Sequence, residues 1–424
     1  MQGRENLYND PNRTPGFLRL DRVDSGNPAS PWYLDRFQDF LRDCRDLLLE
    51  KIGSDKVKAI ILGGSFATGE GTVVFEGEAP VLLSDVDLLV VMDSLPALLE
   101  VLPRRNDLGM ACEEKMPETT FTGRVDVGAV LAGELPSFAR SPGTFVLRTR
   151  GQLLYGEESV LDLFPGYDPE DISPRESLTL LENRMASILG DWPVAVPGTG
   201  SGLYRFFYRV SRSYTDILTA AAVASKSFVP GYQERWETMN RRYGSKEVDL
   251  YLDGTLLEKT RYWTAFKICP SFAEGEPDVH SLSGIWLETA ADLFSMWEKC
   301  ARTAYARELP ARSPEDIKRI AETRAEPQGL MSRIRSWKRL MRWMDSGQRI
   351  RALSFTGGSV LKTDPGDFVR AASVHLLSVA PQADRSAPMR VDPGGFPFGG
   401  KEWKDAARSC NAWWNRLVFG REGS

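Results

Sequence analysis

Residues 62–91 read LGGSFATGEGTVVFEGEAPVLLSDVDLLVV, a glycine-serine turn followed by two acids in an apolar setting. Asp85 and Asp87 sit inside an apolar run, with Val81, Leu82 and Leu83 before them and Leu88, Leu89, Val90 and Val91 after. A short apolar run bounded by turn residues predicts a buried strand. Such a strand does not carry two carboxylates without cause, because a desolvated charge is costly unless it is paired or bound to a metal. The two-residue period of a strand points Asp85 and Asp87 to the same sheet face. Two carboxylates converging on one spot repel each other unless a divalent cation lies between them, and hard oxygen ligands suit Mg2+.

Upstream, Lys58-Ala-Ile-Ile-Leu62 predicts a strand that runs into Gly63-Gly64-Ser65. Two glycines let the backbone approach a ligand closely, and Ser65 supplies a hydroxyl at the start of a helix whose first N–H groups favour phosphate. Downstream, Gly123-Arg-Val-Asp-Val-Gly-Ala-Val-Leu131 predicts another apolar strand with a single acid, Asp126. If the two strands are neighbours, Asp126 joins the pair. Three carboxylates could then hold two metal ions, one activating an attacking oxygen and one stabilising the leaving phosphates.

The order of glycine-serine turn, paired acids and third acid resembles the nucleotidyltransferase superfamily typified by DNA polymerase β, over roughly residues 57–133. The resemblance implies that Gly64 and Ser65, with Gly63, contact the nucleotide phosphates. It also implies that Asp85 and Asp87 bind both Mg2+ ions (with Mn2+ as the alternative), while Asp126 binds one and helps deprotonate the acceptor hydroxyl. The segment between Ser65 and Asp85 is longer than in minimal members and carries Gly69-Glu70-Gly71, which is similar to larger bacterial members with a GGSxxxGEG pattern. Members of this type are expected to close a helical domain over the triphosphate. That makes Arg212, on a helical face shared with Arg205, Arg209 and Asp216, a candidate for phosphate contact. Lys226, Tyr232 and Arg235, just beyond the same helix, are candidates for phosphate or acceptor contact.

At 424 residues the chain is too long for one core. Its 42% hydrophobic and 26% charged content is that of an ordinary globular protein, and a net charge of −5 leaves no overall electrostatic footprint for nucleic acid. No apolar run reaches the ~18–20 residues of a membrane span. The opening MQGRENLYNDPNRTPGF lacks the layout of a signal peptide, so a cytoplasmic location is the expectation. Cys44, Cys112, Cys269, Cys300 and Cys410 are scattered without CxxC spacing, which indicates neither zinc nor a disulfide framework. The two histidines, His280 and His375, have no acid–base partner nearby in sequence, which leaves carboxylates and metal to perform the chemistry.

The expected fold class is α+β, a small mixed-sheet nucleotidyltransferase domain followed by a mainly α-helical domain. Residues 1–31 read as an irregular lead-in, 32–164 as the catalytic domain, 174–310 as a helical closing domain and 311–424 as a helical extension. Helical spacing runs from Trp32 to Ile52, and this helix is expected to cover the back of the sheet. Strands are expected near 58–62, 82–91 and 124–131, with a closing strand in Gly151-Gln-Leu-Leu-Tyr-Gly156 and a domain break at Pro165–Pro174. Leu203, Phe206, Phe207, Val210, Tyr214, Ile217, Leu218 and Ala221 form an apolar helical stripe. Trp286, Leu287, Ala290, Leu293, Phe294 and Trp297 form another, and Trp413-Trp414 is expected to dock the tail. From 333 to 351, seven basic residues face one acid around Ile334, Trp337, Met341 and Met344. The favoured reading is a core-packing helix with a solvated cationic face. RNA, an anionic glycan or a membrane surface are the other readings.

The function expected from these readings is Mg2+-dependent transfer of an NMP from an NTP to an acceptor hydroxyl or phosphate on a small molecule. Polynucleotide or protein modification, oligonucleotide second-messenger synthesis and non-catalytic nucleotide sensing are the alternatives.

Overall fold

The computed structural model describes residues 36–76, 79–121, 123–191, 201–270, 279–305, 364–383 and 403–419, together with Ile320 and Trp337. The lead-in 1–31 and, Trp337 apart, the basic stretch 333–351 lie outside the described residues. The fold is mixed α+β, with two small mixed sheets. The chain divides into two compact units, one of Met1–Glu176 with Pro197–Glu276 and one of Ser177–Val196 with Pro277–Ser424.

The first unit begins with α1 (Gln38–Ile52), β1 (Val57–Leu62), α2 (Gly64–Ala67), β2 (Val73–Glu76), β3 (Ala79–Leu82) and β4 (Val86–Met92). It continues through α3 (Leu95–Val101), α4 (Arg105–Glu113), β5 (Thr120–Phe121), β6 (Val125–Leu131), α5 (Pro142–Arg150) and β7 (Gln152–Tyr155). After α6 (Pro174–Ile188), most of which belongs to the second unit, the first unit resumes. Its remaining helices are α7 (Ser201–Ala224), α8 (Tyr232–Arg242), α9 (Lys246–Asp249) and α10 (Gly254–Ile268).

Four strands form one sheet in the order β6-β4-β1-β7, and three form another in the order β2-β3-β5. In the larger sheet β4 runs parallel to β6 and antiparallel to β1, which in turn pairs antiparallel with β7. Strand alternation gives the sheet two buried faces. Ile60, Leu62, Val86, Leu88, Val90, Val125 and Val127 join Phe40, Cys44 and Leu48 of α1 in the main core. Ala59, Ile61, Val91 and Val130 meet Leu135, Val160 and Phe164 on the opposite face. Helix α1 therefore covers one face, as its apolar spacing predicts, and Phe37 at its entrance stacks on Phe66 of α2 with ring centroids 4.5 Å apart.

The sequence reads 82–91 as one strand, but the structure breaks it in two. Leu82 ends β3 in the smaller sheet and Val86 opens β4 in the larger one. The hydrogen bonds supply the reason. The N–H groups of Leu83 and Ser84 both turn to the Thr72 carbonyl, at 3.0 and 3.4 Å, whereas Val86 N–H donates to the Arg124 carbonyl at 2.8 Å. The backbone thus crosses between sheets at Ser84 and Asp85.

In α7 the whole apolar stripe from Leu203 to Ala221 is buried. Aromatic stacking supports the packing of α7 with α10, because Trp263 lies 5.9 Å from Tyr214 and 6.0 Å from Phe207. Asp253 caps α10 by accepting from Leu256 N–H at 2.8 Å. Tyr208 of α7 packs with Val74, Val81 and Leu83 of the smaller sheet and its edge.

The second unit contains α6 from Ser177 onward, α11 (Val279–Tyr305), α12 (Pro365–Ala383) and α13 (Trp403–Phe419). Trp286, Ala290, Leu293 and Trp297 of α11 are buried. The two indoles donate to Ile188 O at 3.1 Å and to Glu182 Oε1 at 2.9 Å. The aromatic tail docks on α12, where Trp403 donates to Leu376 O at 2.9 Å and Arg370 lies over the Trp414 ring. All five cysteines are buried thiols. Among the described residues no helix is long and apolar enough to cross a membrane.

Candidate active site

Asp87 and Asp126 are register partners in the parallel β4–β6 pair, at the N-terminal ends of both strands. Alternation puts them on the sheet face opposite α1, the face that further along buries Val91 and Val130. Asp85 lies two residues before Asp87, at the crossing between sheets. Because β6 is the direct neighbour of β4, Asp126 stands beside Asp87.

The Gly63-Gly64-Ser65 turn faces the same point. Leu62 pairs with Leu88, so the next residue, Gly63, donates its N–H to the Asp87 carbonyl at 2.8 Å. Gly64 adopts φ 64°, a left-handed conformation that a side chain disfavours, and a Cβ there would run into the Asp87 carboxylate. The carboxylate thus rests against bare backbone at the start of α2. Gly123 is required by close approach instead, because a Cβ there would lie 2.6 Å from Ser84 O.

Like charges dominate the electrostatics. Burial first, then the charges of Asp85 and Asp126, push the Asp87 carboxyl up to about 7, while Arg212 and Arg124 oppose the rise. Asp126 is exposed and Asp85 half-buried. Arg212 Nη1 of α7 lies 3.3 Å from Asp85 Oδ2 and forms an ion pair with it. Burial works to lower the Arg212 pKa, but Tyr208, Asp85, Asp216 and Tyr232 together carry it above the ordinary value. Among the described residues, no group of three or more His, Cys, Asp or Glu side chains is gathered tightly enough to hold a metal ion. The donor set nevertheless fits a hard divalent cation in kind. It consists of carboxylates on adjacent positions, and their mutual repulsion is what a cation would relieve.

Of the helical candidates, Arg212 and Tyr232 reach this neighbourhood. Tyr232, the first residue of α8, lies beneath Lys267 Nζ, 5.2 Å from its ring centroid. Burial foremost raises the Tyr232 phenol to about 12, against the lowering effect of Arg212. Arg235 lies over the Tyr232 ring, 5.3 Å from its centroid, and makes no hydrogen bond or ion pair with the three acids among the described residues. Its buried guanidinium bonds Val229 O, Pro230 O and Thr219 Oγ1 at 2.8–3.0 Å, which fixes the loop before α8. Lys226 is exposed, closes α7 at φ 56°, and donates its N–H to Val223 O at 3.1 Å. No hydrogen bond or ion pair among the described residues joins Lys226 to the acids.

Sequence reasoning missed Lys267. Only 1% exposed, its ammonium donates to Thr72 Oγ1 at 2.7 Å, Ser84 Oγ at 3.1 Å and Glu70 O at 3.2 Å. Ser84 Oγ also accepts from Thr72 N–H at 2.9 Å and lies 3.2 Å from Tyr208 Oη. This network fixes the residue immediately before Asp85. The signal in the sequence was a lone lysine in the apolar run Tyr262-Trp-Thr-Ala-Phe266, since a buried lysine is held by specific partners.

Compared with known proteins, the chain matches no protein-family model, no curated protein and no solved structure.

Proposed function

We propose that the first unit is a Mg2+-dependent nucleotidyltransferase of the DNA polymerase β type, moving an NMP from an NTP to an acceptor hydroxyl or phosphate on a small molecule. The observation that carries this reading is the register pairing of Asp87 with Asp126 directly across from the Gly63–Gly64 turn. The acceptor oxygen forms a bond to the α-phosphorus, and the bond from that phosphorus to the β-phosphate bridging oxygen breaks, releasing pyrophosphate. Asp85, Asp87 and Asp126 would hold Mg2+, which when bound supplies charge neutralisation at the attacking and leaving oxygens. The chain's own residues position the reactants. Gly63, Gly64 and Ser65 would approach the phosphates, Arg212 and Tyr232 would contact the nucleotide from α7 and α8, and Asp126 would take the acceptor's proton. An NTP substrate makes the cytoplasm the site of action.

The Arg212–Asp85 ion pair favours one second reading, a nucleotide sensor in which an arginine rather than a cation balances the acid. One assay separates the two. Purified protein is incubated with Mg2+ and each labelled NTP, beside a variant carrying Asp85→Ala and Asp87→Ala. Pyrophosphate release by the wild type alone supports transfer and yields a product whose mass identifies the acceptor. NTP binding without turnover across an acceptor panel supports the sensor. Equal release by wild type and variant rules out the assignment of the acids.

A further inference from the structure

Glu70, in the Gly69-Glu70-Gly71 motif, has no role in the reaction just described, and its hydrogen bonds join the glycine-serine turn to α8. Its carboxylate accepts the N–H of Tyr232 at 2.8 Å through Oε2 and the N–H of Gln233 at 3.0 Å through Oε1. These are the first two amides of α8, which have no partner inside the helix, so Glu70 caps α8 from a position 162 residues away in sequence. The other end of Glu70 is tied to the glycine-serine turn. Its N–H donates to Ser65 O at 2.8 Å, and the Thr68 hydroxyl bridges Ser65 O and Glu70 Oε2 at 3.0 and 3.1 Å. Its carbonyl accepts from Lys267 at 3.2 Å.

We infer that Glu70 is a positioning residue that couples the Gly63–Ser65 turn to Tyr232, setting where the tyrosine stands over a nucleotide held at the turn. This inference rests on the nucleotidyltransferase reading. The carboxylate is the part that matters, because only a group with two acceptor oxygens serves both amides. Glutamine presents one oxygen and turns an NH2 toward the other N–H. Glu70 acts through Tyr232 and does not touch the reacting atoms, so its loss weakens nucleotide binding rather than the chemical step.

The test compares wild type, Glu70→Gln, Tyr232→Ala and the double variant by calorimetric binding of ATP, GTP, CTP and UTP in turn with Mg2+, with kcat measured for the NTP that turns over. Glu70→Gln is expected to raise Kd about tenfold, the scale of a lost helix cap, with kcat within about twofold. In the Tyr232→Ala background the same change is expected to add nothing to Kd. Wild-type affinity in Glu70→Gln, or a full additive penalty in the double variant, overturns the coupling while leaving the proposed function in place. Failure of the folded wild type to bind any NTP overturns the proposed function and this role with it. Thermal melts of all four proteins separate a folding defect from a binding defect.

Discussion

Asp87 of β4 and Asp126 of β6 stand side by side as register partners in a parallel strand pair, with the Gly63–Gly64 turn hydrogen-bonded to the backbone of Asp87. Two neighbouring strand starts thus point acids to one face at the edge of a glycine turn. The arrangement is electrostatically unfavourable by itself, and it raises the pKa of Asp87.

The first consequence is a pH dependence of stability. Burial and the neighbouring acids raise Asp87 from 3.8 to about 7, so the folded protein keeps a proton that the unfolded chain releases. The native state then binds more protons than the unfolded one, and stability falls with rising pH between those two values. The contribution of Asp87 is fully present below 3.8 and lost by about 7. Melting temperatures of metal-free protein from pH 4 to pH 8 are expected to decline more steeply for wild type than for Asp87→Asn. Parallel curves would remove the assignment, and millimolar Mg2+ is expected to flatten the wild-type curve.

Arg212 separates stability from binding. Its side chain is 36% exposed and that of Asp85 is 30% exposed, so their ion pair is screened by solvent. Arg212→Ala is expected to change unfolding free energy by no more than about 1 kcal/mol. NTP affinity is expected to fall about tenfold or more, the worth of one charge-assisted hydrogen bond. Tighter NTP binding by the variant would instead mean that Arg212 competes with the cation for Asp85.

Phe66 anchors the turn to the core. It is 1% exposed and stacks on Phe37. Phe66→Ala is expected to cost about 3–5 kcal/mol in denaturant unfolding, with the unfolding slope unchanged. A loss below about 1 kcal/mol would show that the stack does not hold the turn.

Two glycines give contrasting outcomes. Gly123→Ala forces a methyl group against the Ser84 carbonyl and is expected to destabilise by about 1–3 kcal/mol. Gly64→Ala adds the penalty of a left-handed backbone, about 1–2 kcal/mol, and displaces the Asp87 carboxylate. Nucleotidyl transfer is therefore expected to fall far more in Gly64→Ala than in Gly123→Ala at matched stability. Equal activity losses would mean that the turn contributes only to folding.

Much of the candidate site was legible because its signals are local. The apolar run Leu88–Val91 and the alternation of Val125 and Val127 with Asp126 are visible in sequence, and the strand period sets which side chains share a face. The apolar stripe of α7 was equally plain, and all of its residues are buried. Illegible were features in which a residue's partner is remote. The break of the 82–91 run depends on where the Thr72 carbonyl lies, and the contrast between Arg212 and Arg235 depends on which loop each guanidinium meets. Two arginines of the same region read alike in sequence, yet one reaches Asp85 and the other fastens its own loop.

Period and turn chemistry act over a few residues, so local sequence was enough for β1, β6 and β7 and for picking out three acids beside a glycine turn, but not for the break at Ser84 and Asp85 or for the smaller sheet. The tertiary structure set β6 beside β4 and grouped Pro197–Glu276 with the sheets. It alone brought Lys267 to Thr72 across 195 residues and Glu70 to Tyr232 across 162. Those meetings follow from how a buried lysine and a helix N-terminus find acceptors once the chain has closed, and sequence spacing does not encode which acceptors those are.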